Sequence, residues 1–200
     1  MENLHFIAGL GNPGGDYART RHNAGFMVAD LLAERWHATW KTENKFRSRV
    51  TRAEVQKRRA ILCEPQTFMN LSGEAVKAVT DYYQIETGRI LLVVDDADLP
   101  LGELRMRPKG GAGGHHGLES VSAHLGTTEY ARLRVGIGRR QETERRLTGH
   151  VLGQFAKEET ELLNKVLDRA ACQVETWLVA GIEKAMNQFN GAVESSETKG

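Results

Sequence analysis

The sequence predicts a single α/β domain, a twisted mixed β-sheet with helices on both faces. Three observations carry that reading. Apolar runs short enough for strands alternate with helical stripes along most of the chain. Five consecutive aliphatics, Ile90 to Val94, suit a central strand covered on both sides. One basic, alternating segment folds back as a hairpin would, which makes the sheet mixed rather than purely parallel. The 200 residues suffice for a core without metals or disulfides. The domain is expected over residues 1–190, with a polar, disordered tail at 191–200.

Residues 4–10 are apolar and end at a glycine-rich loop, as a buried first strand would. At Asn23 the pattern changes to a helical stripe through Phe26, Met27, Ala29, Leu31, Leu32 and Trp36, with Asn23 placed to cap it. Residues 46–55 and 59–64 form the hairpin, turning at Gln56-Lys57, and Pro65 stops it. A second helix is expected over 70–83, with Asn70 or Ser72 near its cap. The strand at 89–94 follows, and Asp95-Asp96-Ala97-Asp98-Leu99-Pro100 stands at its carboxyl end. Residues 104–108 read as an edge strand, because Pro108 has no N–H to give a ladder. The glycine-rich run 110–117 leads into a short helix, 118–125, and residues 130–138 alternate as a strand. A polar turn at 139–146 is expected to be mobile. The last helix carries a stripe from Leu162 to Leu178 and extends, kinked at Gly181, to about Phe189.

The formal net charge is only +1, but its distribution is uneven. Cations crowd into residues 41–59, into Arg105, Arg107 and Lys109, and into a run from Arg132 and Arg134 to Arg146, while acids gather between Asp81 and Glu103. The molecule therefore carries a basic side. Arg105 to Lys109, beside the glycine-rich turn, suits phosphate contact; residues 41–59 fit a solvated face and an RNA contact equally. No run reaches the roughly 18 apolar residues of a membrane span, and Met1-Glu2-Asn3 lacks the basic start of an export signal, so a cytosolic protein is expected. Cys63 and Cys172, far apart in apolar segments, read as buried free thiols rather than a disulfide or zinc ligands.

Gly9-x-Gly11-x-x-Gly14 matches a dinucleotide fingerprint by spacing. The helical stripe begins too late after Gly14, however, and no second strand ends in an acid about 20 residues on, which argues against a nucleotide cofactor. His22 lies in polar surroundings just ahead of a helix, where a surface histidine is the competing reading, and Asp95 ends the most buried strand, a position that fits a catalytic group and a cap or turn residue equally. Brought together, a His and an Asp are a working unit: the carboxylate fixes one ring nitrogen, and the other takes a proton from water. No Gly-x-Ser-x-Gly elbow is present, and the histidines show no metal spacing, His115 and His116 being adjacent. Attack by water without a covalent intermediate or a metal is the simplest chemistry for this set.

Five ordered motifs make the chain resemble the bacterial peptidyl-tRNA hydrolase family from Leu4 to about Asn190. They are Gly9-Leu-Gly-Asn-Pro-Gly14 with Tyr17 and Arg21-His-Asn23, Pro65-Gln-Thr-Phe-Met-Asn-Leu-Ser-Gly73, Asp95-Asp-Ala-Asp-Leu-Pro100, residues 110–117, and Arg132-Leu-Arg-Val-Gly-Ile-Gly138. The resemblance implies a monomeric, cytoplasmic, cofactor- and metal-independent esterase that frees tRNA from peptidyl-tRNA shed by stalled ribosomes. It makes His22 the base that activates water and Asp95 its orienting partner. Asn12 and Asn70 match amides that hold the peptide main chain and the water, and Tyr17 and Phe68 match residues lining the same cleft. Arg107 and Arg134 match a pair that clamps the tRNA 5′ phosphate, with Arg107 replacing a lysine and keeping the charge. One departure stands out: the family's His-Asn-Gly reads His115-His116-Gly117 here, so His116 occupies the place of a substrate-binding asparagine.

Two other readings compete. One is a non-catalytic RNA-binding protein on the same scaffold, like the family's chloroplast intron-splicing relatives. The other is a small-molecule esterase or nucleoside-processing enzyme on a related sheet, for which the basic stretches would have no purpose.

Overall fold

The computed structural model describes residues 4–138 and 153–193. Within them one sheet of eight strands has the order β2-β3-β4-β1-β5-β7-β6-β8. The strands are β1 (Leu4–Gly9), β2 (Lys41–Glu43), β3 (Ser48–Val55), β4 (Arg58–Pro65), β5 (Ile90–Asp96), β6 (Glu103–Arg107), β7 (Ala131–Gly136) and β8 (Gly191–Ala192). The central four, β4, β1, β5 and β7, are parallel; β2, β3, β6 and β8 join antiparallel. The helices are α1 (Ala24–Arg35), α2 (Ser72–Tyr82), α3 (His116–Leu125), α4 (Thr160–Ala180) and α5 (Ile182–Phe189).

Period-two alternation divides the core into two layers. Leu91 and Val93 of β5 join Val28 and Leu32 of α1 and Val166 and Val174 of α4 on one face. Ile90, Leu92 and Val94 join Val76 and Val79 of α2 and Leu118 and Val121 of α3 on the other. A strand that feeds both layers has no solvent side, which is why its aliphatics run without interruption. β1 hands its chain toward β4, while β5 hands its chain toward β7 and β6. The carboxyl ends of β1 and β5 therefore flank the reversal of strand order, where open α/β sheets build their crevice.

Several expectations shift. Asn23 does not cap α1 with its side chain, and neither Asn70 nor Ser72 caps α2 in that way. α3 starts at His116 rather than at 118. β6 is not an edge strand, because β7 pairs with one side of it and β8 with the other; Pro108 falls just past its end. Gly191 and Ala192, placed with the tail on sequence grounds, form β8, and Val193 donates its amide to Gly102. The turn at 139–146 and residues 194–200 lie outside the described residues. The hairpin turn is where it was expected, with Gln56 and Lys57 both at positive φ. Cys63 is a buried free thiol, whereas Cys172, also free, is partly exposed.

Candidate active site

Main-chain contact sets the site's geometry before any side chain does. A Cβ on Gly9 would stand 2.2 Å from the Gly25 carbonyl oxygen, and one on Gly25 would stand 2.3 Å from that of Val93. The first turn of α1 thus lies directly on β1 and β5, and only glycine permits that approach. The 3₁₀ turn Arg21–Asn23, just ahead of α1, is carried over the carboxyl end of β5. Arg21 anchors it on one side, donating from Nη1 to the Ile137 carbonyl at 3.1 Å and pairing with Glu159. His22 turns the other way, toward Asp95.

His22 Nδ1 lies 2.7 Å from Asp95 Oδ1, as the sequence led us to expect. A second imidazole shares that oxygen: His115 Nε2, at 3.0 Å. Partners assign the tautomers. The Leu118 amide donates to His115 Nδ1 at 3.3 Å, so the His115 proton sits on Nε2 and points at the carboxylate. His22 likewise donates from Nδ1, which leaves its Nε2 lone pair for a reacting group. Asp95 is 2 % exposed. Burial alone would raise its pKa, but hydrogen bonds from His115 and then His22 reverse the effect and hold it at about 2. The carboxylate is ionised throughout the neutral range.

Asn12 is also locked. Its Oδ1 accepts from the Met69 amide at 2.8 Å, which leaves its NH₂ group to donate. Asn23, instead of capping a helix, pairs its carboxamide with both main-chain polar atoms of Asn12, at 2.8 and 2.9 Å. The loop after β1 and the loop after β4 are thereby tied together. Phe68 is 57 % exposed and meets Tyr17 edge-on at 6.4 Å; Asn70, two residues on, is exposed. A Cβ on Gly117 would stand 2.6 Å from Met69 Sδ, so glycine lets α3 close against this loop.

His116 points out of the cluster. It is exposed, and its Nδ1 faces Glu119 Oε2 at 3.1 Å. On the β6–β7 pair, Arg105 stands opposite Arg134 and Arg107 opposite Arg132, which puts Arg107 and Arg134 diagonally on one face. Arg107 is exposed. Arg134 is mostly covered and bonds Asp96 Oδ2 at 3.4 Å and the carbonyls of Gly111 and Ala112 at 3.1 and 2.9 Å. Arg132 is 2 % exposed and donates to the carbonyls of Gly110, Gly111, Thr128 and Tyr130, bracing the glycine-rich loop that delivers His115.

Sequence reasoning missed His115, Asn23 and Arg132. The adjacency of His115 and His116 was read as evidence against a shared ion, yet the helix start sends the two rings in opposite directions. His22, Asp95 and His115 offer ligand atoms within 4.8 Å of one another, a grouping that spacing along the chain did not disclose. In the geometry described, the bonds to Asp95 and from Leu118 engage His22 Nδ1 and both ring nitrogens of His115.

Comparison with known proteins follows the same lines. The family profile described as Peptidyl-tRNA hydrolase matches residues 6–198. A peptidyl-tRNA hydrolase of Gloeobacter violaceus is 46% identical over 187 residues, 94% of each chain. One of Bacillus subtilis is 42% identical over 187 residues, 94% of this chain and 98% of the relative. The crystal structure of peptidyl-tRNA hydrolase from Acinetobacter baumannii superposes with a TM-score of 0.90 at 38% identity, over 96% of this chain and 97% of that one. No helix among the described residues is long and apolar enough to cross a membrane.

Proposed function

The chain belongs to the peptidyl-tRNA hydrolase family and is an enzyme of that kind; from that premise we propose that His22, oriented by Asp95, activates the water that cleaves the ester between peptide and tRNA. The observation that carries the reading is the 2.7 Å bond from His22 Nδ1 to a buried, ionised Asp95, which reserves Nε2 for the water. Nε2 takes a proton as the water oxygen bonds to the ester carbon. The resulting imidazolium is stabilised by the carboxylate. Charge develops on the former carbonyl oxygen, where the NH₂ groups of Asn12 and Asn70 are the donors we assign to it. The carbon–oxygen bond to the tRNA ribose then breaks, and His22 returns its proton to that oxygen. Tyr17 and Phe68 flank the peptide, and His116 with Glu119 stands at the rim rather than in the donor set. Arg107 and Arg134 hold the 5′ phosphate. Phosphate contacts carry little base information, which suits an enzyme that accepts many tRNAs.

A substrate made at the ribosome supports a cytoplasmic location. The test is incubation of the purified protein with N-acyl-aminoacyl-tRNA, and with free aminoacyl-tRNA as control, in the presence of EDTA. Cleavage of the N-blocked substrate alone is expected. Binding without cleavage would favour the splicing-type alternative, and loss of activity with EDTA would overturn the metal-free mechanism.

A further inference from the structure

Along the outer strands β3 and β4, on the α2 face, the sheet carries a second cluster that the chemistry above does not use, with its cavity at the amino ends of β1 and β4. Tyr82, the last residue of α2, and Tyr83 fold over Phe46, with ring centroids at 5.2 and 5.9 Å, and meet each other edge-on at 4.8 Å. Cations flank the rings. Lys45 Nζ lies 4.1 Å from the Tyr82 centroid, Arg52 Cζ lies 4.9 Å from that of Tyr83, and Arg52 Nη2 donates to the Tyr83 hydroxyl at 2.7 Å. Tyr82 still keeps 58 % of its surface in solvent. Beside Tyr83 a cavity of about 280 Å³ opens, lined by Leu4, Arg52, Glu54, Arg59 and Ala60. It is close to the roughly 300 Å³ at which ligand pockets begin. Residues 45–59 hold seven cations and one acid, so the local field favours a polyanion.

Leu4 and Arg59 pair at the amino ends of their strands, whereas Asp95 lies near the carboxyl end of β5. At about 3.3 Å per strand residue the cavity is on the order of 20 Å from the catalytic carboxylate, and Lys45 and Phe46, just ahead of β3, are separated from it by the width of β4 and β1. It is a separate site.

We propose that this corner is a second RNA contact, which takes a single-stranded segment with one base stacked on Tyr82, its neighbour in the cavity beside Tyr83, and its phosphates on Lys45, Arg52 and Arg59. Every base offers a π-face to an aromatic ring, and Lys45 and Arg52, which lie over the Tyr82 and Tyr83 rings, give way to a base and take its flanking phosphates, so the contact is tolerant of sequence. An acidic peptide would engage the cations and leave both the exposed ring and the apolar floor of Leu4 and Ala60 unused. The inference draws on none of the cleft groups and is independent of the role given to His22.

Photo-crosslinking with a short oligouridylate carrying 4-thiouridine locates the contact. Crosslinks to the segment containing Tyr82 and Tyr83 are expected; crosslinks confined to the cleft and the β6–β7 arginines would overturn the proposal. Fluorescence anisotropy with the same oligonucleotide, and with inorganic polyphosphate as competitor, tests the chemistry. Tyr82→Ala is expected to weaken oligouridylate binding at this site roughly tenfold while leaving polyphosphate binding unchanged. Arg52→Gln is expected to weaken both and to reduce the slope of log affinity against log salt by about 0.7. Equal losses of RNA and polyphosphate in Tyr82→Ala, or no loss of either, would reduce the corner to a plain electrostatic surface. Neither variant touches the cleft, so hydrolysis of a small N-blocked substrate should continue in both and report intact folding.

Discussion

Asp95 and Glu64 are both buried carboxyls near the carboxyl ends of parallel strands, and they stand at opposite extremes. Asp95 receives two imidazole N–H groups on one oxygen and is held at about 2. Glu64, fully buried on β4, receives one bond, from Arg49 Nη1 to Oε2 at 2.7 Å, while its Oε1 is buried with no partner. Burial first, and then the charge of Asp30, push Glu64 up to about 8 against the pull of Arg49. Burial is common to both; the number and placement of donors separates them. The cleft holds the carboxyl kept permanently charged, and the hairpin edge holds the one that stays protonated at neutral pH.

Removing donors from the charged corner is the most direct way to break that contrast. His22→Ala is expected to lower peptidyl-tRNA hydrolysis by roughly 100-fold or more with little change in tRNA affinity, measured by steady-state kinetics beside a binding assay. Near-normal turnover would remove His22 from its role. His115→Ala leaves Asp95 a single imidazole, and a smaller fall, roughly tenfold in kcat, is expected; an unchanged kcat would show that the second donor is dispensable.

The protonated corner is read through stability. Glu64 has a folded pKa of about 8 against a usual value of 4.5, so the folded state binds a proton that the unfolded state has lost between those limits. Its contribution therefore falls as pH rises from 4.5 to about 8 and is level above that. Asp95, lowered from 3.8 to about 2, has the opposite sign: its contribution is present above 3.8 and lost as pH falls toward 2. Denaturation of Glu64→Gln across pH should give a flatter curve between 4.5 and 8, with its acid limb unchanged. The same steep curve in the variant would assign that pH dependence elsewhere. The smallest effect expected is on salt dependence: Arg107→Ala should raise KM and lower its log–log salt slope by about 0.7 to 0.9, and an unaltered slope would detach Arg107 from phosphate.

How much of this was legible follows from the length over which each signal acts. The α/β fold with helices on both faces was, because β5, the hairpin and the helical stripes are long enough to show their periods. β2 and β8, at three and two residues, are too short for alternation to appear. Asp95 and His22 were found as chain-order features, a strand end and a helix entry. His115 was not, because nothing local says which of two adjacent histidines turns inward; the Leu118 amide decides it. Asn23 has the profile of a cap and spends its side chain on a residue eleven positions back. Glu64 passed as the polar end of a strand, although an acid following Ala60-Ile-Leu-Cys63 and lying opposite Arg49 in the hairpin register was the available clue.

The device by which Asn23 grips Asn12 recurs at the far margin of the sheet. There Asn190 accepts from the Met106 amide at 2.7 Å and donates to its carbonyl at 3.1 Å, continuing the cover that β8 gives to Glu103 and Leu104. Nearly ninety positions separate the covered strand from its cover, so order of synthesis matters. A growing polypeptide that has emerged only as far as α4 presents β6 with bare amides and carbonyls, ready to template another chain. The two-residue strand and one carboxamide thus act as a late clasp, and protection of that flank comes only after residues 190–192 have been made.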